Sequence, residues 1–219
     1  MNDTLPAFPS VLVVCAHPDD ESFGLGAILS TLAGTGTRIS ALCFTHGEAS
    51  TLHGVARDIA AIRADELEAA GAMLGVTHIE LLDYPDRHLS AQPLDHLADH
   101  VVRVARIVDA SVLLVFDTGG VTGHPDHQHA TDAALHAAVR LGCPVLAWAI
   151  PDKVAQLLND EFHTAFAGRR DDELDFTITV DRTRQLDAVR RHRSQSTDNP
   201  VLWRRLDLLG PTEHLRYLT

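Results

Sequence analysis

At 219 residues, with 45% hydrophobic and 22% charged residues, the chain is long enough for one sizeable core and too ordinary in composition for wholesale disorder. A formal net charge of -12, with no basic cluster denser than Arg190, Arg191 and Arg193, argues against nucleic acid as a partner, because phosphate neutralisation needs a concentrated cationic face. The opening MNDTLPAFPS lacks the charged and apolar regions of a signal peptide, and no apolar run approaches the ~18 residues of a membrane span, so a cytoplasmic protein with no membrane partner is expected.

In chain order, short apolar runs alternate with longer segments of helical spacing. Residues 11–16, 37–43, 76–82, 111–116 and 145–150 read as strands, three of them nearly continuous apolar runs as buried parallel strands require. Between them, 22–35, 55–74, 91–110 and 127–141 read as helices, and Gly75 supplies a C-terminal stop. Strand, helix, strand repetition predicts an α/β fold: a Rossmann-like, doubly wound, mainly parallel sheet of order 3-2-1-4-5. The tail is less regular, with an alternating strand at 173–180, a helix at 181–196, a short last helix and a return segment that adds a C-terminal strand. With no linker, repeat or low-complexity segment, residues 1–219 are expected to form a single domain.

Three cysteines, Cys15, Cys43 and Cys143, each in or beside an apolar stretch, read as reduced core thiols. Fourteen histidines are a surplus, and the question is which of them are placed for chemistry.

Two junctions answer it. Ala16-His17-Pro18-Asp19-Asp20-Glu21 follows the first strand and Gly123-His124-Pro125-Asp126-His127 follows the fourth. Proline at a first helical position and acidic residues in a first turn are ordinary helix starts. That reading leaves unexplained a histidine before each proline and a ligand-capable residue three positions on. With each histidine at an N-cap, His17 pairs with Asp20 and His124 with His127, one helical turn apart. In the order 3-2-1-4-5 both junctions open into the crevice at the switch point of the sheet. Imidazole and carboxylate groups converging there suit zinc, and a catalytic zinc needs only three protein ligands, so one of the four is spare.

These residues resemble the PIG-L, or LmbE-like, family of zinc-dependent N-acetylglucosaminyl de-N-acetylases: AHPDDE at 16–21 and TGHPDH at 122–127, supported by THGE at 45–48, the stretch 62–76 and HRSQ at 192–195. The resemblance implies His17, Asp20 and His127 as metal ligands, Asp19 as general base, and His124 as oxyanion stabiliser or acid with Asp126 beside it. It also implies substrate-binding roles for Arg63, Asp86 and Glu48. The bland readings stand beside these: Arg63 as a solvated helix charge and Asp86 as a turn residue. His46, His53, His78, His88 and His129 read as surface or structural, and His192 and Gln195 as supporting residues without an assigned role.

The implied reaction removes the acetyl group from a small amino-sugar molecule containing N-acetylglucosamine. Zinc is the implied cofactor, with ferrous iron as the alternative metal. A deprotonated Asp19 and a protonated His124 acting together imply a bell-shaped pH profile. Two rival readings remain: an amidase acting on sugar-linked thiol conjugates, and a non-catalytic Rossmann-type binding module. The second would need a glycine-rich turn where the acidic AHPDDE stands. The aglycone and the oligomeric state, a homo-oligomer included, are not written in the sequence.

Overall fold

The computed structural model describes residues 2–52 and 58–219; His53 and the start of the helix expected from residue 55 lie outside the described residues. Five parallel strands form the frame: β1 (Ser10–Cys15), β2 (Arg38–Thr45), β3 (Val76–Tyr84), β4 (Val112–Phe116) and β5 (Val145–Ala149). Every residue of β1, β4 and β5 is buried, the pattern of strands covered on both faces. The period of two shows in β1: Val11, Val13 and Cys15 enter one core, while Leu12 and Val14 enter the other.

The first core is covered by α2 (Gly26–Gly34), α3 (Ile59–Leu74) and α6 (Asp152–Phe162), the second by α4 (Leu94–Ile107) and α5 (Pro125–Leu141), while α1 (Asp20–Phe23) packs Phe23 against a small separate cluster of Val189, Leu202 and Leu206. Helix α4 buries Leu97, Val101, Val104 and Ala105 and exposes Asp99 and Arg103, a single apolar stripe. Helix α5 presents Ala130, Ala133, Ala134, Ala137 and Ala138, small enough for close approach to sheet and neighbouring helix. The expected stop at Gly75 is the C-cap of α3, with φ +83. The cysteines are free, Cys15 and Cys43 buried and Cys143 half-buried.

The sheet order is β3-β2-β1-β4-β5-β7-β6, the expected 3-2-1-4-5 frame extended by two strands. These are β6 (Phe176–Thr179) and β7 (Thr212–Tyr217), with β7 antiparallel to both β5 and β6. Between them run α7 (Thr183–Val189), α8 (Arg193–Ser196) and α9 (Pro200–Leu209), so the helix expected at 181–196 is two. Helix α6, with Val154, Ala155 and Leu158 buried, was not expected at all.

The tail ties the end of β1 to the edge of the sheet. Glu213 on β7, fully buried, accepts from Trp148 Nε1 at 2.8 Å and pairs with Arg182. Arg182 also donates to Gln185 Oε1 at 2.6 Å, and Gln185 Nε2 donates to the carbonyl of Ser22 at 3.0 Å. The helix expected at 22–35 is broken at Gly24, where a Cβ would lie 2.7 Å from the Phe116 ring and 2.8 Å from the Trp148 ring. Overpacking of this kind typically costs about 1–3 kcal/mol. Gly24→Ala is therefore expected to lose stability of that order in urea unfolding, and a change below about 0.5 kcal/mol would show that the two rings yield freely.

Candidate metal centre and its cavity

The turn after β1 is not a simple helix start. Asp19, not His17, precedes α1, with a left-handed backbone of φ 118 that is unusual for a residue bearing a Cβ. His17 and Asp20 are nevertheless brought together, because Asp20 Oδ2 accepts from the backbone N–H of Ala16 at 3.1 Å and of His17 at 3.0 Å. At the second junction His124 is the N-cap of α5, its Nδ1 accepting from Asp126 N at 3.1 Å. His127 lies a turn further on, its ring centroid 5.1 Å from that of His124.

Three donor atoms then meet. His17 Nδ1 lies 3.1 Å from His127 Nε2, His127 Nε2 lies 3.1 Å from Asp20 Oδ1, and His17 Nδ1 lies 3.8 Å from Asp20 Oδ2. A tetrahedral ion bonded at about 2.0–2.1 Å holds its ligand atoms roughly 3.3 Å apart. The far side of each imidazole is anchored. His17 Nε2 donates to Asp86 Oδ1 at 3.0 Å, so Nδ1 is the nitrogen that becomes bare when the ring is neutral. His127 Nδ1 lies 3.1 Å from the carbonyl of Gly120, an obligate acceptor, and 3.0 Å from Thr122 Oγ1, so its proton is on Nδ1 and Nε2 is bare. Two imidazole nitrogens facing a carboxylate, each free to bind once its ring is neutral, are the donor set of a cation site, so the residues fit a divalent metal. His17, His124 and His127 also bring ligand atoms within 4.8 Å of one another, as do His17, Asp86 and Asp126. In the first of these His124 Nδ1 is already engaged as an acceptor by the N-cap, and in the second Asp86 and Asp126 meet the outward nitrogen of His17.

Burial opposes charge on His17, but Asp126 and Asp86 more than offset it and raise its pKa to about 10. Burial raises Asp20, and His127 and His17 outweigh it, holding the carboxyl well below the usual range. Burial likewise raises Asp86, while its bond to His17 brings it down to about 2. A metal must therefore displace a proton from His17, and its affinity should weaken as the medium is acidified.

The remaining expected site residues hold the frame together. Asp126, fully buried, accepts from the backbone N–H of Arg87 at 2.7 Å and of Leu89 at 3.2 Å, pinning the β3–α4 loop with Oδ2 3.6 Å from His17 Nε2. Asp86 has both oxygens engaged, by His17 and by Ala49 N at 2.9 Å, and Glu48 accepts from Asp86 N at 2.9 Å. Arg63 is 3% exposed and grips Asp19: Nη2 donates to Asp19 Oδ2 at 2.9 Å and to the Pro18 carbonyl, and Nη1 to the Gly47 carbonyl at 2.6 Å. Gly47, with φ +63, is required there, because a Cβ would fall 2.2 Å from Arg63 Nη1.

The sequence alone assigns Glu21 no role, and His192 only a supporting one without a partner. Glu21, the last letter of AHPDDE, is fully buried; its Oε2 accepts from Asp19 N at 3.0 Å and its Oε1 lies 2.7 Å from His192 Nε2. Burial lowers the His192 pKa, but Glu21 outweighs it and raises the value overall. Asp19 is thus clamped at its backbone by Glu21 and at its side chain by Arg63. The signal was the shared presence of AHPDDE and HRSQ; their pairing across 171 positions was not legible.

His17, Asp19, Asp20, Asp86, His124 and His127 border a cavity of about 300 Å³ at the carboxyl ends of β1 and β4, lined also by Phe23, Phe116, Phe166 and Leu202.

Comparison with known proteins follows the geometry. The chain is 35% identical over 154 residues to the 1D-myo-inositol 2-acetamido-2-deoxy-alpha-D-glucopyranoside deacetylase of Streptomyces scabiei, covering 58% of this chain and 47% of the relative. It spans about half the length of the curated relatives it matches. Among solved structures, a zinc-inhibited form of a teicoplanin deacetylase superposes with TM-score 0.72 at 20% identity, covering 95% of this chain and 97% of that one. The 4-carboxy-2-hydroxymuconate hydratase from Pseudomonas putida superposes with TM-score 0.73 at 16% identity, covering 96% of each chain. Both likenesses show the fold, and the second shows that the fold alone does not choose the chemistry. A match of the PIG-L family model, described as GlcNAc-PI de-N-acetylase, to residues 12–138, more than half of the chain, places this protein in that family.

Proposed function

We propose that this chain is a metal-dependent hydrolase that removes the acetyl group from a small molecule containing N-acetylglucosamine, with zinc as the metal, at a site built from His17, Asp20 and His127. The observation that carries the reading is the convergence of those three donors beside Asp19 in one cavity, in a chain of the PIG-L family. Deacetylation of amino-sugar glycosides is the activity named for the Streptomyces scabiei relative. Among the described residues no helix is long and apolar enough to cross a membrane.

A bound divalent metal would supply an activated water and a polarised acyl carbonyl. Asp19, with Oδ2 held by Arg63, has Oδ1 left to take the proton of the attacking water. His124 has its Nδ1 engaged as an acceptor, so its Nε2 carries the proton and can donate to the developing oxyanion. Such a donor is commonly worth about 2.7–4 kcal/mol. The leaving amine then takes its proton back from Asp19.

The same groups revise the expected pH profile. Burial raises Asp19, Arg63 pulls it back, and the balance is about 6. A base acts deprotonated, so acetate release at saturating zinc is expected to rise with pH through about 6, or lower once a bound cation draws the value down. Burial, with His17 and His127, lowers His124 below its ordinary value, so its neutral form donates and no alkaline limb is expected from it. A loss of rate between about pH 6.5 and 8 would restore a protonated His124.

The reading is tested by loading the protein with zinc and measuring acetate release from N-acetylglucosaminyl glycosides, sugar-linked thiol conjugates and acetylated peptides. Release from the glycosides is expected. Turnover of peptides alone, or of the thiol conjugates with a larger acyl group, would assign a different amidase.

A further inference from the structure

Helix α9 contributes Val201, Leu202 and Arg205 to the cavity lining, and Arg205 is the anomalous one. It is only 5% exposed, with its guanidinium 5.1 Å from the centroid of the Trp148 ring. Of its five N–H groups, one on Nη2 donates to the Phe23 carbonyl at 2.8 Å, and Nε is buried without a partner.

Its charge is also unmatched. The carboxylate that acts on it most strongly is Glu213, whose two oxygens are taken by Arg182 and by Trp148 Nε1. The buried Arg205 and the half-buried Arg182 therefore share one carboxylate, and among the described residues no acidic group lies within ion-pairing distance of Arg205. Burial lowers its pKa to about 10, which still leaves it cationic at neutral pH. An unpaired buried charge is costly, and stacking on Trp148 satisfies none of the spare donors.

The other charged groups bordering the cavity do not compete for an incoming anion. Arg63 is committed to Asp19, while Asp20 and Asp86 are each paired with a histidine. Arg87 also borders the cavity but is exposed, so its charge stays in water at little cost.

We propose that Arg205 is the anchor of an anion-recognising subsite, so that the substrate carries a carboxylate or phosphate in addition to its N-acetylated sugar. This rests on the deacetylase reading for the sugar, though not for the anion. It would set the substrate of this chain apart from the molecule named for the Streptomyces scabiei relative, an inositol glycoside with no ionisable group.

The test uses zinc-loaded protein and three probes: N-acetylglucosamine, its 6-phosphate, and N-acetylmuramic acid, which bears a carboxylate. Two quantities are read: kcat/KM for acetate release, and Kd by calorimetry in the Asp19→Asn background. At least one anionic probe is expected to be preferred over the neutral sugar by about 10–100-fold, the usual scale of a charge-assisted hydrogen bond. Which one is preferred separates phosphate from carboxylate. Arg205→Met should bring that ratio to within about threefold of one, and Arg205→Lys should leave it intermediate. If Arg205→Met does not fold, the fall in Arg205→Lys decides. A wild-type ratio near one for both anions overturns the proposal. So does a ratio that survives in Arg205→Met, or one that is lost instead in Arg87→Ala. If no probe releases acetate yet calorimetry shows the anion preference and its loss, the deacetylase reading fails and the subsite stands.

Discussion

Replacing Asp20 by alanine is expected to strip the protein of its metal. Asp20 Oδ1 stands 3.1 Å from His127 Nε2, and its other oxygen holds the backbone of Ala16 and His17 in the turn that aims the His17 ring. The substitution thus removes one ligand and loosens a second. Loss of an outer partner of a metal ligand typically weakens affinity by 10–100-fold, so loss of a ligand that also organises the turn should exceed about 100-fold. The check is metal content after dialysis against a weak chelator, with circular dichroism to confirm that the fold survives. Asp20→Ala protein that keeps a full complement of zinc would remove Asp20 from the ligand set.

Asp19→Asn should fail in the opposite way. Asp19 faces the same cavity, but its Oδ2 is taken by Arg63 and its backbone N–H by Glu21, so it borders the donor cluster without joining it. The amide can still accept from Arg63 but cannot take a proton. Zinc content is therefore expected to stay near wild type while kcat falls by on the order of 10²–10⁴, the range for removing a positioned base. A KM that moves little would place the loss in the chemical step. If Asp19→Asn loses the metal and Asp20→Ala retains it, the two roles are exchanged.

Much of the frame was legible in the sequence, because β1, β4 and β5 are buried on both faces and read as continuous apolar runs, and α4 carries one apolar stripe. The sheet order followed from strand and helix alternation. The tail was harder to read: β7 pairs antiparallel with β5 across 65 to 71 positions of sequence, and α6 buries only Val154, Ala155 and Leu158. Helix starts were misjudged where side chains replace the usual cap. Asp20 closes the turn after β1 by accepting two backbone N–H groups, which displaces the helix start from His17 to Asp20.

Within the site, the motif letters announced the chemistry of each junction but not which partner each side chain would find. Asp86 and Glu48 come from two separate loops and Asp126 from the first turn of α5, and they meet through backbone hydrogen bonds, a kind of contact that leaves no periodicity. Arg63 reads as a surface charge on α3 until Gly47, lacking a Cβ, lets it reach Pro18 and Asp19.

The most direct test of the metal centre is anomalous diffraction at the zinc absorption edge from crystals of zinc-loaded protein. A single peak is expected within about 2.0–2.2 Å of His17 Nδ1, His127 Nε2 and an oxygen of Asp20, with His124 outside that shell. A peak bonded to His124 in place of Asp20, or lying on the Asp86 and Asp126 side of the His17 ring, would contradict it.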